Sequence, residues 1–87
     1  METIVTHMNT PEAVNRSLIN VIEDARKGAK LSQRDLSESA GIPLTTLHQK
    51  LKGHRAFTVI ELALIAEALG TSITELALRA ERAQVAA

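Results

Sequence analysis

Leu31-Ser32-Gln33-Arg34-Asp35-Leu36-Ser37-Glu38-Ser39-Ala40-Gly41-Ile42-Pro43-Leu44-Thr45-Thr46-Leu47-His48-Gln49-Lys50-Leu51-Lys52-Gly53-His54-Arg55 reads as helix, tight turn, helix. Ser32 opens the first helix: its hydroxyl is placed to cap the amide of Asp35 while the Asp35 carboxylate reaches back, a shortened capping box. Leu36 and Ala40 face inward. Gly41 then closes the helix after barely two turns, because glycine takes up left-handed backbone without strain. Ile42-Pro43 forms the link, and a second helix runs from Leu44 to Lys52 until Gly53 stops it. Two helices so short and so tightly joined cross steeply, which leaves the second free to protrude.

At about 100° per residue, Leu47 and Leu51 share one narrow inward sector of that second helix. Thr45, Gln49 and Lys52 occupy the opposite sector, His48 and Lys50 flank it, and Leu44 sits near the inner edge at the N-terminal tip. No carboxylate lies between Glu38 and Glu61. An outward face of hydroxyl, carboxamide and ammonium groups suits a groove lined by base edges and flanked by phosphates.

The flanking segments read as further helices. Thr10 is an N-cap with Pro11 at the first helical position, and Val14, Leu18, Val21, Ile22 and Ala25 form the apolar face of a first helix. Thr58 and Glu61 have capping-box spacing and open a fourth helix with the stripe Leu62, Ile65, Ala66, Leu69. Ser72 and Glu75 repeat the device before a fifth, through Ile73, Leu76, Ala77 and Ala80. The glycines at 28, 41, 53 and 70 each follow a helical stretch and are expected to end it. Residues 1–9 carry neither cap nor period and are expected to be a mobile tail, with the domain spanning 10–87.

Composition agrees with an all-α fold. Of 87 residues 45% are hydrophobic, but these are mostly Ala and Leu, the leading helix formers, with Phe57 the only aromatic residue. The length allows about one domain and excludes a large multi-part enzyme. Without cysteine there is no disulfide, zinc ribbon or thiol nucleophile. His48 and His54 have no third ligand nearby, so no metal site is expected. The glycines are too scattered for a phosphate-binding loop, no GxSxG is present, and most acids sit at helix starts or on exposed faces; neither catalysis nor a cofactor is expected. No apolar run approaches a membrane span, and the N-terminal residues lack the pattern of a signal peptide, which points to the cytoplasm.

Net charge is zero overall but not locally. Residues 26–55 hold Arg26, Lys27, Lys30, Arg34, Lys50, Lys52 and Arg55 against Asp35 and Glu38, whereas both flanks are acidic. Such an asymmetry steers a molecule toward a polyanion in one orientation.

Taken together, Ser32-Gln33, Leu36, Ala40-Gly41-Ile42, Thr46-Leu47, Gly53 and Ile65-Ala66-Glu67-Ala68-Leu69-Gly70-Thr71-Ser72 resemble the helix-turn-helix domain of the Cro and C1 phage-repressor family, also called the xenobiotic response element family. The resemblance covers about residues 12–80. It implies a compact five-helix, lambda-repressor-like bundle that binds double-stranded DNA and regulates transcription, as a repressor in a bacterial cell or a phage-infected host. It puts Leu44, Thr45 and Gln49 at base-reading positions, with His48 beside them. Gln33 takes the position that grips a phosphate at the start of the second helix, and Lys52, His54 and Arg55 fall where the family contacts the backbone. Arg34, Thr46 and Lys50 complete the expected phosphate-binding set. Two departures stand out: Pro43 replaces the usual capping Ser or Thr, and the apolar contact after Leu47 comes at Leu51 rather than one residue earlier.

Bland alternatives stand beside several of these roles. Gln49 matches adenine with a donor and an acceptor, but is equally a residue type of solvated helices. Thr45 suits a phosphate or a base. Leu44 suits the core or a thymine methyl, and Phe57 reads as a core plug beneath the third-to-fourth helix link. A single module offers few base contacts, so a homodimer on two half-sites is expected, through the C-terminal helix where Leu78 and Val85 lie off the inward stripe. The competing expectation is a helical protein-interaction module, such as an antitoxin, whose primary partner is a protein.

Overall fold

The computed structural model describes residues 10–86, with side chains as far as Ala83. The expected tail at 1–9, Ala87 and the side chain of Val85 lie outside the described residues. Among the described residues five helices follow one another: α1 (Pro11–Gly28), α2 (Gln33–Ala40), α3 (Leu44–Leu51), α4 (Val59–Ala68) and α5 (Ile73–Ala86). The all-α expectation holds.

Local chemistry sets the helix starts. Thr10 Oγ1 accepts from the Ala13 amide at 3.2 Å, with Pro11 behind it. Ser32 and Asp35 make the full reciprocal box, at 2.9 Å to the Ser32 hydroxyl and 3.0 Å to the Asp35 carboxylate. Thr58 and Glu61 do the same. At α5 only half of the expected device forms. The Ser72 hydroxyl accepts from the Glu75 amide, but the Glu75 carboxylate goes to Arg79 Nε, 2.9 Å away, because an (i, i+4) arginine competes for it.

The helix ends correct one expectation. Gly41, Gly53 and Gly70 are left-handed, with φ of 72°, 84° and 72°. Gly28 is not: it belongs to α1, and the left-handed residue is Lys30, at φ 60°. In each of the turns after α1, α3 and α4 the same paired bonds close the helix. Leu31 and Lys30 donate to the Arg26 and Lys27 carbonyls, as His54 and Gly53 do to Gln49 and Lys50, and Thr71 and Gly70 to Ala66 and Glu67. A lysine thus stands where the other two turns use glycine. Its side chain is exposed.

All five helices and the α2–α3 turn supply the core. Ile22, Leu36, Ala40, Ile42, Leu47, Ile65, Ala66, Leu76 and Ala80 are buried, with Leu18, Val21, Leu51, Phe57, Leu62 and Leu69 packed against them. Phe57 is therefore the plug expected of it. Ala77, placed on the inward stripe of α5 by its spacing, is exposed; the stripe narrows to Ile73, Leu76 and Ala80. α1 lies along α5, while α2 packs on both α3 and α4. The buried Ser37 ties the α2–α3 turn: its hydroxyl donates to the Ile42 carbonyl, and its own carbonyl accepts from Gly41 and Ile42.

Candidate nucleic-acid interface

α3 is pinned from behind and open in front. Leu47 is fully buried and Leu51 half-buried against the core. Thr45, His48, Gln49 and Lys52 are exposed on the opposite side, while Leu44 and Thr46 are half-buried at the N-terminal edge. Pro43 precedes α3 with no side-chain cap, so nothing covers the first turn's outward amides from that position. At its other end α3 runs into the exposed link His54-Arg55.

Lys50 does not belong to this surface. It was expected to meet phosphate, yet it is 5% exposed and its ammonium pairs with the Glu61 carboxylate on α4. The helical period gives the reason: residues 47, 50 and 51 are spaced i, i+3 and i+4, which is one face. Lys50 fills the position one before Leu51 with its methylene stem, and its charge is answered by the acid opposite. Burial alone would raise the Glu61 pKa, but the Lys50 ammonium and the Thr58 amide and hydroxyl outweigh it and hold the carboxyl below its ordinary value. Glu61 therefore closes the α4 cap and pairs with Lys50 at once. Its second role was hidden in the sequence; a lysine three residues after a core leucine was the available signal.

A second internal pair lies behind the start of α2. Arg26 donates to Glu23 through Nε at 2.8 Å and Nη2 at 3.0 Å, and its Nη1 donates to the Leu31 carbonyl at 2.7 Å. Glu23 also accepts from Gln33 Nε2 at 3.3 Å. The chain Arg26, Glu23, Gln33 fixes the α1–α2 link and orients the half-buried Gln33. Hydrogen bonding from Arg26 lowers the Glu23 pKa against the opposing effect of burial, and Glu23 in turn raises that of Arg26.

Two of the seven cations in the basic central segment are thus neutralised by acids outside it. Lys27, Lys30, Arg34, Lys52 and Arg55 remain exposed, against Asp35 and Glu38. Asp35 is engaged by the Ser32 amide, whose hydrogen bond lowers its pKa. One cation escaped the sequence reasoning: Arg16 of α1, with Asn15 and Glu12, lines a groove of about 380 Å³ shared with Leu51, Lys52 and Gly53. Its position in α1, far from Lys52 in sequence, gave no sign of this neighbourhood.

A family model described as helix-turn-helix matches residues 22–76, which contain α2, the turn, α3 and α4. Among solved structures, the clp gene regulator ClgR from Corynebacterium glutamicum is similar in fold, with a TM-score of 0.77 and 19% identity, covering 84% of this chain and 78% of that one. A search of curated proteins returns no match.

Proposed function

Because the chain belongs to the helix-turn-helix family of Cro/C1 type, we propose that it is a sequence-specific DNA-binding transcriptional regulator that reads an operator through the major groove with α3. The observation that carries the proposal is the acid-free outer face of α3, where Thr45, His48, Gln49 and Lys52 stand exposed while Leu47 and Leu51 anchor the helix from behind. Major-groove readout needs a helix held rigidly and presenting donors and acceptors, and a carboxylate-free surface avoids repulsion from phosphates. Gln49, at the centre of the face, reads a base; Thr45, His48 and the half-buried Leu44 flank it. Gln33 at the start of α2, together with Arg34, Thr46, Lys52, His54 and Arg55, engages the backbone.

The protein acts in this proposal as a phage-type repressor in the cytoplasm, two copies binding half-sites about 34–36 Å apart. Selection of bound sequences from random duplexes tests it. A recovered two-fold symmetric site, with affinity falling steeply as salt rises, supports it. Recovery of no preferred sequence, or salt-insensitive binding to a protein instead of DNA, overturns it in favour of a protein-interaction module.

A further inference from the structure

Of the side chains proposed to engage the backbone of a duplex, Gln33 at the start of α2 is the one that, among the described residues, is already hydrogen-bonded inside the protein. Its Nε2 donates to Glu23 Oε1 at 3.3 Å. The same oxygen accepts from Arg26 Nη2 at 3.0 Å, and Oε2 accepts from Arg26 Nε at 2.8 Å. Arg26 Nη1 in turn donates to the Leu31 carbonyl at 2.7 Å, one residue before the Ser32 cap of α2. The network is therefore tied to backbone at both ends, growing from α1 and reaching the residue beside the cap. Glu23, Arg26 and Gln33 are all half-buried.

An acid beside a phosphate ligand is a liability unless it serves that ligand, and the chemistry of a carboxamide supplies the service. A glutamine ends in a nitrogen that donates and an oxygen that only accepts, and its last torsion presents either end with similar ease. Phosphate oxygens only accept, so the nitrogen has to face them. An ionised carboxylate likewise only accepts, and Glu23 stays ionised at neutral pH because hydrogen bonding from Arg26 holds its pKa below the ordinary value. It therefore admits the amide nitrogen and repels the amide oxygen. One N–H of Gln33 goes to Glu23; the second, on the same nitrogen, has no acceptor among the described residues. We propose that Glu23 is a positioning residue for DNA binding: it fixes the orientation of the Gln33 carboxamide so that one amide nitrogen bridges the Glu23 carboxylate and a phosphate. Glu23 acts in this way only if Gln33 is a phosphate ligand, as the DNA-binding proposal has it. Arg26 makes the arrangement workable, since its guanidinium offsets a charge that would otherwise repel the phosphate.

Removing Glu23 also releases Arg26, and a freed guanidinium strengthens binding to any duplex, so the role is read from the coupling of two substitutions rather than from one. Affinities of the natural sequence, Gln33→Ala, Glu23→Ala and the double variant are measured on the full chain with a random duplex at low salt. With Glu23 present, Gln33→Ala is expected to weaken binding at least about fivefold; with Glu23→Ala in place, the same change costs no more than about twofold. In the free protein, NMR relaxation of the Gln33 side-chain amide reads the positioning without DNA. Its order parameter is expected to lie above about 0.6 in the natural sequence and to fall below that in Glu23→Ala. Glu23→Met, a good helix former of similar size with no acceptor, is expected to give the same pattern and keeps the test valid if the Ala variant does not fold. Equal losses from Gln33→Ala with and without Glu23, no loss in either background, or a Gln33 amide equally mobile in both would each overturn the role of Glu23 while the DNA-binding proposal stands. A natural sequence that binds no duplex overturns both.

Discussion

At the scale of single residues, the different roles proposed for Gln49 on α3 and for Lys52 at its C-cap are distinguished by one assay. In its proposed role as a bidentate base reader, Gln49 is expected to lose about 1–3 kcal/mol on the selected operator when changed to Ala, with relaxed preference at one base position. Lys52→Ala removes a point charge and is expected to weaken every sequence alike. Titration of both variants on operator and random duplexes checks this, and equal losses on both duplexes would show that the roles are misassigned. Lys50 behaves differently because its partner is internal. Lys50→Met leaves the partly buried Glu61 carboxylate with its Thr58 cap but without its ammonium partner, so the expected loss is about 1–3 kcal/mol of folding stability, measured by urea unfolding. Its effect on the salt dependence of DNA binding should be nil, whereas a phosphate ligand would change that slope by about one.

At the scale of helices, what ends each element is as informative as what starts it. Gly28 lies in helical backbone, and a Cβ added there meets nothing within 4 Å. Gly28→Ala is therefore expected to stabilise by about 0.5–1 kcal/mol. Gly41→Ala has equal space but sits at φ 72°, and is expected to destabilise by about 1 kcal/mol or more. Thermal melts should move in opposite directions, by several degrees each for a domain of this size. The caps and pairs also set a pH limit. Glu61 and Glu23 are both held below their ordinary value of 4.5. The unfolded chain thus takes up protons at higher pH than the folded one. The stability these groups contribute is complete above about pH 4.5 and is lost as pH falls through their lowered folded values. Melting temperature measured from neutral pH downward should drop below that point, and Glu61→Gln should melt lower at neutral pH with a shallower acid decline. An acid decline as steep as that of the natural sequence would show that Glu61 contributes none of it.

At the scale of the whole molecule, a chain of zero net charge binds a polyanion through how its charges are distributed. Pairing Arg26 with Glu23 and Lys50 with Glu61 leaves the exposed cations concentrated around α2, α3 and the link beyond. Replacing Arg34, Lys52 and Arg55 together by Ala should reduce the slope of log affinity against log salt by about three. An unchanged slope would place the contacted phosphates elsewhere, Arg16 beside Lys52 being the next candidate.

The sequence by itself determined the five described helices, the caps at Thr10, Ser32 and Thr58 and, Lys50 apart, the outward side of α3, because capping boxes, left-handed glycines and the 3.6-residue period act within a few residues of chain. Leu47, Leu51, Thr45 and Gln49 could be sorted inward or outward from spacing alone. Lys30 escaped, since nothing local marks a lysine for left-handed backbone. Only the tertiary structure decided which polar side chains are engaged internally: Lys50 meets Glu61 across two helices, and Gln33 donates to Glu23, ten residues earlier, where α1 and the start of α2 come together. It also decided which side of α4 stays bare. An evenly apolar helix has no preferred inner side of its own, so its neighbours choose, and here they cover Ile65 and Ala66 and leave Val59 and Ile60 in solvent.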